Sequence, residues 1–245
     1  MKEKRIPRFV LLNGLTEIVD PDQIKQITKV FRLKIGDQII GICEEKQFLF
    51  ELSSISRDLI SLKNIEEIIP EQSPENNFHL KLLIPLLKND KTELVLQKCT
   101  ELGANEFQFI EFDHSVKSAN NLSHKLERWQ KIILEAVEQS ERLKIPFINE
   151  KTIKVQDIQL ASNETGIVFL ERLQNNQKSF NENHLNPIPK ENTTLSLIFG
   201  PEGGFSEREK NLLIQKGFYA KSLGNRILRS ETAIVVGCSH CSIYQ

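Results

Sequence analysis

The sequence predicts an α/β protein in which a small, strand-rich N-terminal unit precedes a largely parallel sheet with helices on both faces. Three observations carry that prediction. Short extended runs separated by turn signals fill roughly the first 70 residues. From Phe78 onward, apolar strands alternate with amphipathic helices. Between the two patterns, residues 71–77 are polar and contain Pro74, which disfavours helix at Ser73. The predicted domains are therefore residues 1–72 and 73–245.

In the first domain, residues 7–12 are extended and Asn13-Gly14 is a turn signal. Asp20-Pro21 opens a short helix on which Ile24, Ile27, Val30 and Phe31 are spaced to share a face. Gly36-Asp37 leads into a hairpin, residues 38–43 and 47–52, around Glu44-Glu45-Lys46, and a last strand covers residues 65–69. Several short strands with one helix suggest a small barrel.

In the second domain, residues 78–87 form an apolar strand. Asp90 and Glu93 have capping-box spacing at the start of a helix whose stripe is Leu94, Val95, Cys99 and Leu102, and whose stop is Gly103. Residues 107–112 are a strand, and residues 123–142 a long helix burying Leu126, Trp129, Ile133, Ala136 and Val137. Residues 166–170 and 195–199 are short buried strands, separated by a polar, asparagine-rich loop over residues 171–194. Ser206 and Glu209 form a second capping box, ended by Gly217. A strand over residues 218–223 and a helix over residues 231–243 complete the chain.

A net charge of −1 does not exclude a local basic surface, and the first 34 residues do lean basic, through Arg5, Arg8 and Arg32 among others. No apolar run is long enough to span a membrane, and no apolar stretch follows the charged N-terminus as a signal peptide requires. Four scattered cysteines fit a reducing compartment, so the expected location is cytoplasmic. Cys238 and Cys241 have metal-like spacing, but no second ligand pair accompanies them and no metal is expected.

Two segments combine glycine with chemistry-bearing residues. Gly200-Pro201-Glu202-Gly203-Gly204 joins a predicted strand to the N-terminus of the Ser206 helix, where free amides and small residues allow close approach of a ligand. A tight strand-to-helix turn would look the same. The second, residues 223–233, runs Leu-Gly-Asn-Arg-Ile-Leu-Arg-Ser-Glu-Thr-Ala between a strand and the last helix. Two arginines among apolar residues suit an apolar pocket flanked by anion binders, or a helix cap with solvated arginines. If the preceding strands are parallel, both segments lie at one edge of the sheet.

Together these segments closely resemble the ribosomal RNA small subunit methyltransferase E (RsmE) family, which pairs a Gly-Pro-Glu-Gly-Gly loop with a Leu-Gly-x-Arg-Ile-Leu-Arg-x-Glu-Thr-Ala segment. Three further stretches are similar in the same order: Arg5-Ile6-Pro7-Arg8-Phe9 with residues 30–37; Lys88-Asn89-Asp90-Lys91 with residues 97–103; and residues 135–142 with Pro146. The hairpin at Glu44-Glu45 departs from the family's Asp-Gly type of turn, a histidine common before the family's Val-x-Arg segment is missing, and Ser230 replaces a threonine.

The resemblance implies a SPOUT-type catalytic domain with a trefoil knot, a PUA-like N-terminal barrel that holds RNA, and a homodimer. It implies transfer of a methyl group from S-adenosylmethionine to N3 of one uridine in 16S ribosomal RNA. A SPOUT enzyme with another RNA target, or a non-catalytic ribosome-associated RNA-binding protein, are the alternatives. Gly200, Glu202, Gly203, Gly204, Leu223, Gly224, Ile227 and Leu228 match the family's cofactor loops, with Leu170 as a third wall. Arg226 and Arg229 are candidates to hold a phosphate, the uracil carbonyls or the cofactor carboxylate, and to stabilise the N3 anion. Glu231 is either a general base or a partner of the helix dipole. Arg5, Arg8 and Arg32 are the expected phosphate contacts, with Lys88 and Arg142 as either RNA contacts or ion-pair members.

Overall fold

The computed structural model describes residues 6–12, 14, 16–88, 90–115, 122–171 and 191–242. Arg5, Ile243 and most of the asparagine-rich loop, residues 172–190, lie outside the described residues. Chain contacts divide the protein into two compact units, residues 1–75 with 137–144, and residues 76–136 with 145–245.

The first unit contains strands β1 (Arg8–Val10), β2 (Glu17–Ile18), β3 (Gln38–Cys43), β4 (Lys46–Ile55) and β5 (Ile60–Ile68), in the order β1-β3-β4-β5-β2. β1 runs parallel to β3, and the remaining pairs are antiparallel. β4 carries two register shifts against β5, after Leu49 and after Leu52, and such bulges bend a strand and raise its twist. The bend brings Phe50, Leu52, Ile39, Ile60 and Phe9 into one core. The hairpin turn falls on Glu44 and Glu45, which adopt φ of 51° and 61°. A two-residue turn of this hand matches the strand twist and ordinarily selects Asn-Gly, so two glutamates hold it under strain.

Helix α1 (Pro21–Lys25) begins as expected, with the Asp20 carboxylate accepting from the Gln23 amide. It then passes into a π turn, residues Gln26–Val30, closed by Phe31 N–H donating to the Gln26 carbonyl. The extra residue per turn shifts the helical phase. Ile24 and Ile27 are consequently buried, whereas Val30 and Phe31 are exposed, which corrects the predicted four-residue face.

Residues 137–144 complete this unit. Glu138 accepts from the Val10 amide, and Arg8 pairs with Glu141 at 3.0 Å. Arg142 is only 2% exposed and forms a forked ion pair with Glu75, with Nη2 at 2.6 Å from Oε2. The amides of Leu143 and Lys144 donate to the same carboxylate. Of the two roles expected of Arg142, the structure shows the ion pair. Its guanidinium is committed to an enclosed carboxylate, and reaching a phosphate would leave Glu75 buried and unpaired.

The second unit contains β6 (His79–Pro85), α2 (Lys91–Glu101), β7 (Glu106–Glu111), α3 (Ser123–Ser140, whose last residues belong to the first unit), β8 (Phe147–Ile148), β9 (Ile153–Lys154), β10 (Glu164–Phe169), β11 (Thr194–Phe199), α4 (Glu207–Gln215), β12 (Tyr219–Lys221) and α5 (Ser230–Ser242). The sheet order is β12-β10-β11-β6-β7-β8, with β9 also on β7, and every pair is parallel. Helices cover both faces. On one face, Leu213 of α4 packs with Val168, Ile198 and Leu83. On the other, Trp129 of α3 meets Phe109, and α5 lies on the stacked rings of Phe169 and Phe199. Gly237 permits that approach, because a Cβ there would sit 2.6 Å from Phe199.

The Ser206–Glu209 capping box forms in full, and Gly103 and Gly217 both end their helices at φ 91°. The Asp90–Glu93 box does not form. Asp90 already has helical dihedrals, φ −71° and ψ −4°, and caps no amide, while Glu93 pairs with Arg128 at 2.6 Å. Leu94 is 45% exposed, and the buried face of α2 is Val95, Leu96 and Cys99 with two threonines.

At the N-terminal edge of the sheet, His79 bonds Glu106 at 3.1 Å, Asn149 donates to it at 2.7 Å, and Lys81 lies at 3.3 Å. The His79 hydrogen bond, aided by Lys81 and Asn149 against the cost of burial, holds the Glu106 carboxyl down to about 2. A depressed carboxylate stabilises the fold above its unfolded value and loses that contribution as pH falls through its folded one. Glu106→Gln should therefore remove on the order of 2 kcal/mol at neutral pH, discounted for partial exposure, and should flatten the stability loss between about pH 4.5 and pH 2. Urea unfolding at stepped pH measures both.

Candidate active site

Because β10, β11 and β12 are adjacent and parallel, the segments that follow them leave the sheet at one edge. They enclose a cleft of about 630 Å³. Leu170, Gly200, Glu202, Gly203, Gly204, Leu223, Gly224, Ile227 and Leu228 all line it, and so do Arg226, Arg229 and Glu231. That volume suits a nucleoside-sized ligand. Ile227, 61% exposed, forms part of the apolar wall.

The glycine loop is fixed by short contacts. Gly204, at φ 71°, takes the left-handed conformation that lets the loop turn into α4. Gly203 lies against His114, where a Cβ would come within 2.9 Å of the His114 Cβ and 3.2 Å of its carbonyl oxygen. The His114 ring donates from Nδ1 to the Gly204 carbonyl at 3.2 Å. Below the loop, Asp113 accepts from Ser206 Oγ at 2.6 Å and from Arg208 at 2.9 Å. The Ser206 bond, with that of Arg208, keeps the Asp113 carboxyl below its ordinary range.

The second segment is tied to the first at its end. Ser230 Oγ donates to the Gly200 carbonyl at 2.7 Å, so this hydroxyl links the two limbs instead of capping α5. Lys91 stands between them. Its Nζ is 2.5 Å from Glu202 Oε1 and 3.4 Å from Glu231 Oε2. Glu231 Oε2 is enclosed and, among the described residues, its nearest charged partner is Lys91 at 3.4 Å, an ionic contact. The Lys91 bond lowers the Glu202 carboxyl, with Lys88 and Arg229 acting in the same direction, and Glu202 raises Lys91 in turn. Arg226 and Arg229 are exposed at the wall.

Lys91, His114, Glu171 and Lys210 are elements of this site that the sequence did not nominate. One signal for Lys91 was present. A lysine in the first turn of a helix opposes the dipole, and such a position calls for compensating carboxylates. Of the expected RNA contacts, Arg8 pairs with Glu141, Arg32 is exposed at φ 54°, and Lys88 is exposed.

A family profile described as an RNA methyltransferase domain matches residues 74–242. The ribosomal RNA small subunit methyltransferase E of Mesomycoplasma hyopneumoniae (strain 232) is 36% identical over 216 residues, covering 87% of this chain and 88% of that protein. The Bacillus subtilis (strain 168) protein of the same name is 33% identical over 227 residues, covering 90% and 87%. Among solved structures, the Neisseria gonorrhoeae ribosomal RNA small subunit methyltransferase E bound to S-adenosylmethionine is 26% identical, with a TM-score of 0.78 and 96% of each chain covered.

A parallel sheet whose adjacent strand ends open into a glycine-walled cleft, within a matched RNA methyltransferase domain, defines an α/β methyltransferase. The chain belongs to the ribosomal RNA small subunit methyltransferase E family.

Proposed function

We propose that this chain transfers a methyl group from S-adenosylmethionine to N3 of a uridine in 16S ribosomal RNA. The observation that carries the reading is the convergence of both glycine-containing segments on one cleft of about 630 Å³. When bound, S-adenosylmethionine supplies a methyl group activated by its sulfonium. The fit is supported by Gly204, which turns the loop at φ 71° toward the helix N-terminus, and by the apolar lining of Leu170, Leu223, Ile227 and Leu228.

Leu170, Leu223, Ile227 and Leu228 form the apolar walls for the adenosine, and Gly200, Glu202, Gly203 and Gly204 the floor. Arg226 and Arg229 stabilise negative charge on the uracil as N3 loses its proton, or hold the flanking phosphate. Glu231 is read at its helix-start role, through Lys91, because Oε2 is enclosed; the imide proton then leaves to water at the open mouth. The base must be unpaired to expose N3. The N-terminal unit is read as a PUA-like barrel that binds RNA phosphates through Arg8 and Arg32, the catalytic unit as a knotted SPOUT domain in which Lys88 adds an RNA contact, and the assembly as a cytoplasmic homodimer. Among the described residues, no helix is long and apolar enough to cross a membrane.

Transfer of labelled methyl to isolated small subunits, followed by nucleoside analysis, tests the target. N3-methyluridine is the expected product; label at another position would point to a different RNA target, and no label would oppose the enzymatic reading.

A further inference from the structure

Lys91 occupies the first position of α2, where its charge opposes the positive end of the helix dipole. Two carboxylates from distant parts of the chain compensate it: Glu202 of the glycine loop and Glu231 of the first turn of α5. The same two limbs are also joined by Ser230 and the Gly200 carbonyl. Lys91 is therefore the one element of α2 that reaches the cleft wall, and it does so by bridging the two segments that form the cleft.

We propose that Lys91 is a positioning residue for methyl transfer: its ammonium clasps Glu202 to Glu231 and offsets about half of their charge at the wall of the cleft. The inference rests on the methyl-donor reading above. Transfer to an ionised imide joins a sulfonium cation and an N3 anion to give two neutral products. The S–CH3 bond breaks with its pair returning to sulfur, and the N3–CH3 bond forms from the pair left when the imide proton departs to water. Uncompensated carboxylates beside that reaction would stabilise the cation of the ground state and oppose the forming anion, and both effects raise the barrier. Lys91 weakens both while keeping the limbs together.

The test compares S-adenosylmethionine with S-adenosylhomocysteine, which differ in the sulfonium charge, by calorimetry on the full chain. Lys91→Met should shift the ratio of their affinities about 5- to 10-fold toward S-adenosylmethionine, and the shift should shrink in high salt. Lys91→Arg should keep the wild-type ratio. Glu231→Gln, which removes a carboxylate instead, should move the ratio the other way. Steady-state rates for Lys91→Met should show kcat reduced about tenfold or more with KM for RNA little changed. Equal weakening of both ligands, or an unchanged ratio in both variants, overturns the proposal, because a purely structural clasp cannot discriminate the ligands' charge. Wild-type protein that binds neither ligand would instead remove the methyl-donor reading on which it rests.

Discussion

Replacing Arg142 with alanine should destabilise the protein by about 3–5 kcal/mol without any specific loss of RNA affinity in the folded fraction. The guanidinium is buried, and the carboxylate it serves also receives the amides of Leu143 and Lys144. Pairing with Arg142 and those amides outweighs burial and lowers the Glu75 carboxyl. Truncation leaves Glu75 enclosed with half of its partners. The double variant Glu75→Leu, Arg142→Met should recover only part of the loss, because the two amides then lose their acceptor. Urea denaturation gives the stability, and filter binding of a small-subunit RNA fragment below the unfolding transition gives the affinity. A folded Arg142→Ala protein of normal stability and poor RNA affinity would restore the surface-contact reading.

Gly203→Val should reduce affinity for S-adenosylmethionine by on the order of 10²-fold or more, equivalent to about 3 kcal/mol of lost contacts at roughly 1.4 kcal/mol per tenfold. The sequence suggests that a side chain here would fill the ligand's cradle. The structure gives a different cause: the new Cβ would strike the Cβ and carbonyl of His114. His114 also holds the Gly204 carbonyl, so relief of the clash moves the loop that forms the cleft floor. The cost in stability should be about 1–3 kcal/mol, the range for a modest steric insertion. Calorimetry and thermal melting separate the two effects. His114→Gly in the Gly203→Val background removes the obstructing Cβ, though not the carbonyl, and should restore part of the affinity.

Much of the catalytic unit was legible in the sequence because its signals are local. Buried parallel strands appear as short apolar runs, as at residues 195–199, and Ser206 with Glu209 lies within one turn of helix. Parallel strands then put the two glycine segments at one edge, where the structure gathers all the cofactor-loop positions carried over from the resemblance. What was not legible depends on partners distant in sequence. Arg142 and Glu75 are 67 residues apart, and nothing in a basic residue at the end of an amphipathic helix distinguishes a buried ion pair from a phosphate contact. The Asp90–Glu93 box is absent because Asp90 already has helical dihedrals, and the carboxylate of Glu93 goes instead to Arg128, 35 residues along the chain. Lys91 escaped notice for the same reason, its two partners lying in segments far along the chain. The π turn at residues 26–30 changed which side chains of a short helix are buried, a shift of phase that periodicity of 3.6 cannot anticipate.

Titration of the wild-type chain with S-adenosylmethionine, with Gly203→Val as the control, tests the central claim most directly. Saturable binding of one ligand per chain, weakened on the order of 10²-fold or more in the variant while it remains folded, is the predicted result. Absence of heat and of thermal protection with the wild-type protein would contradict it.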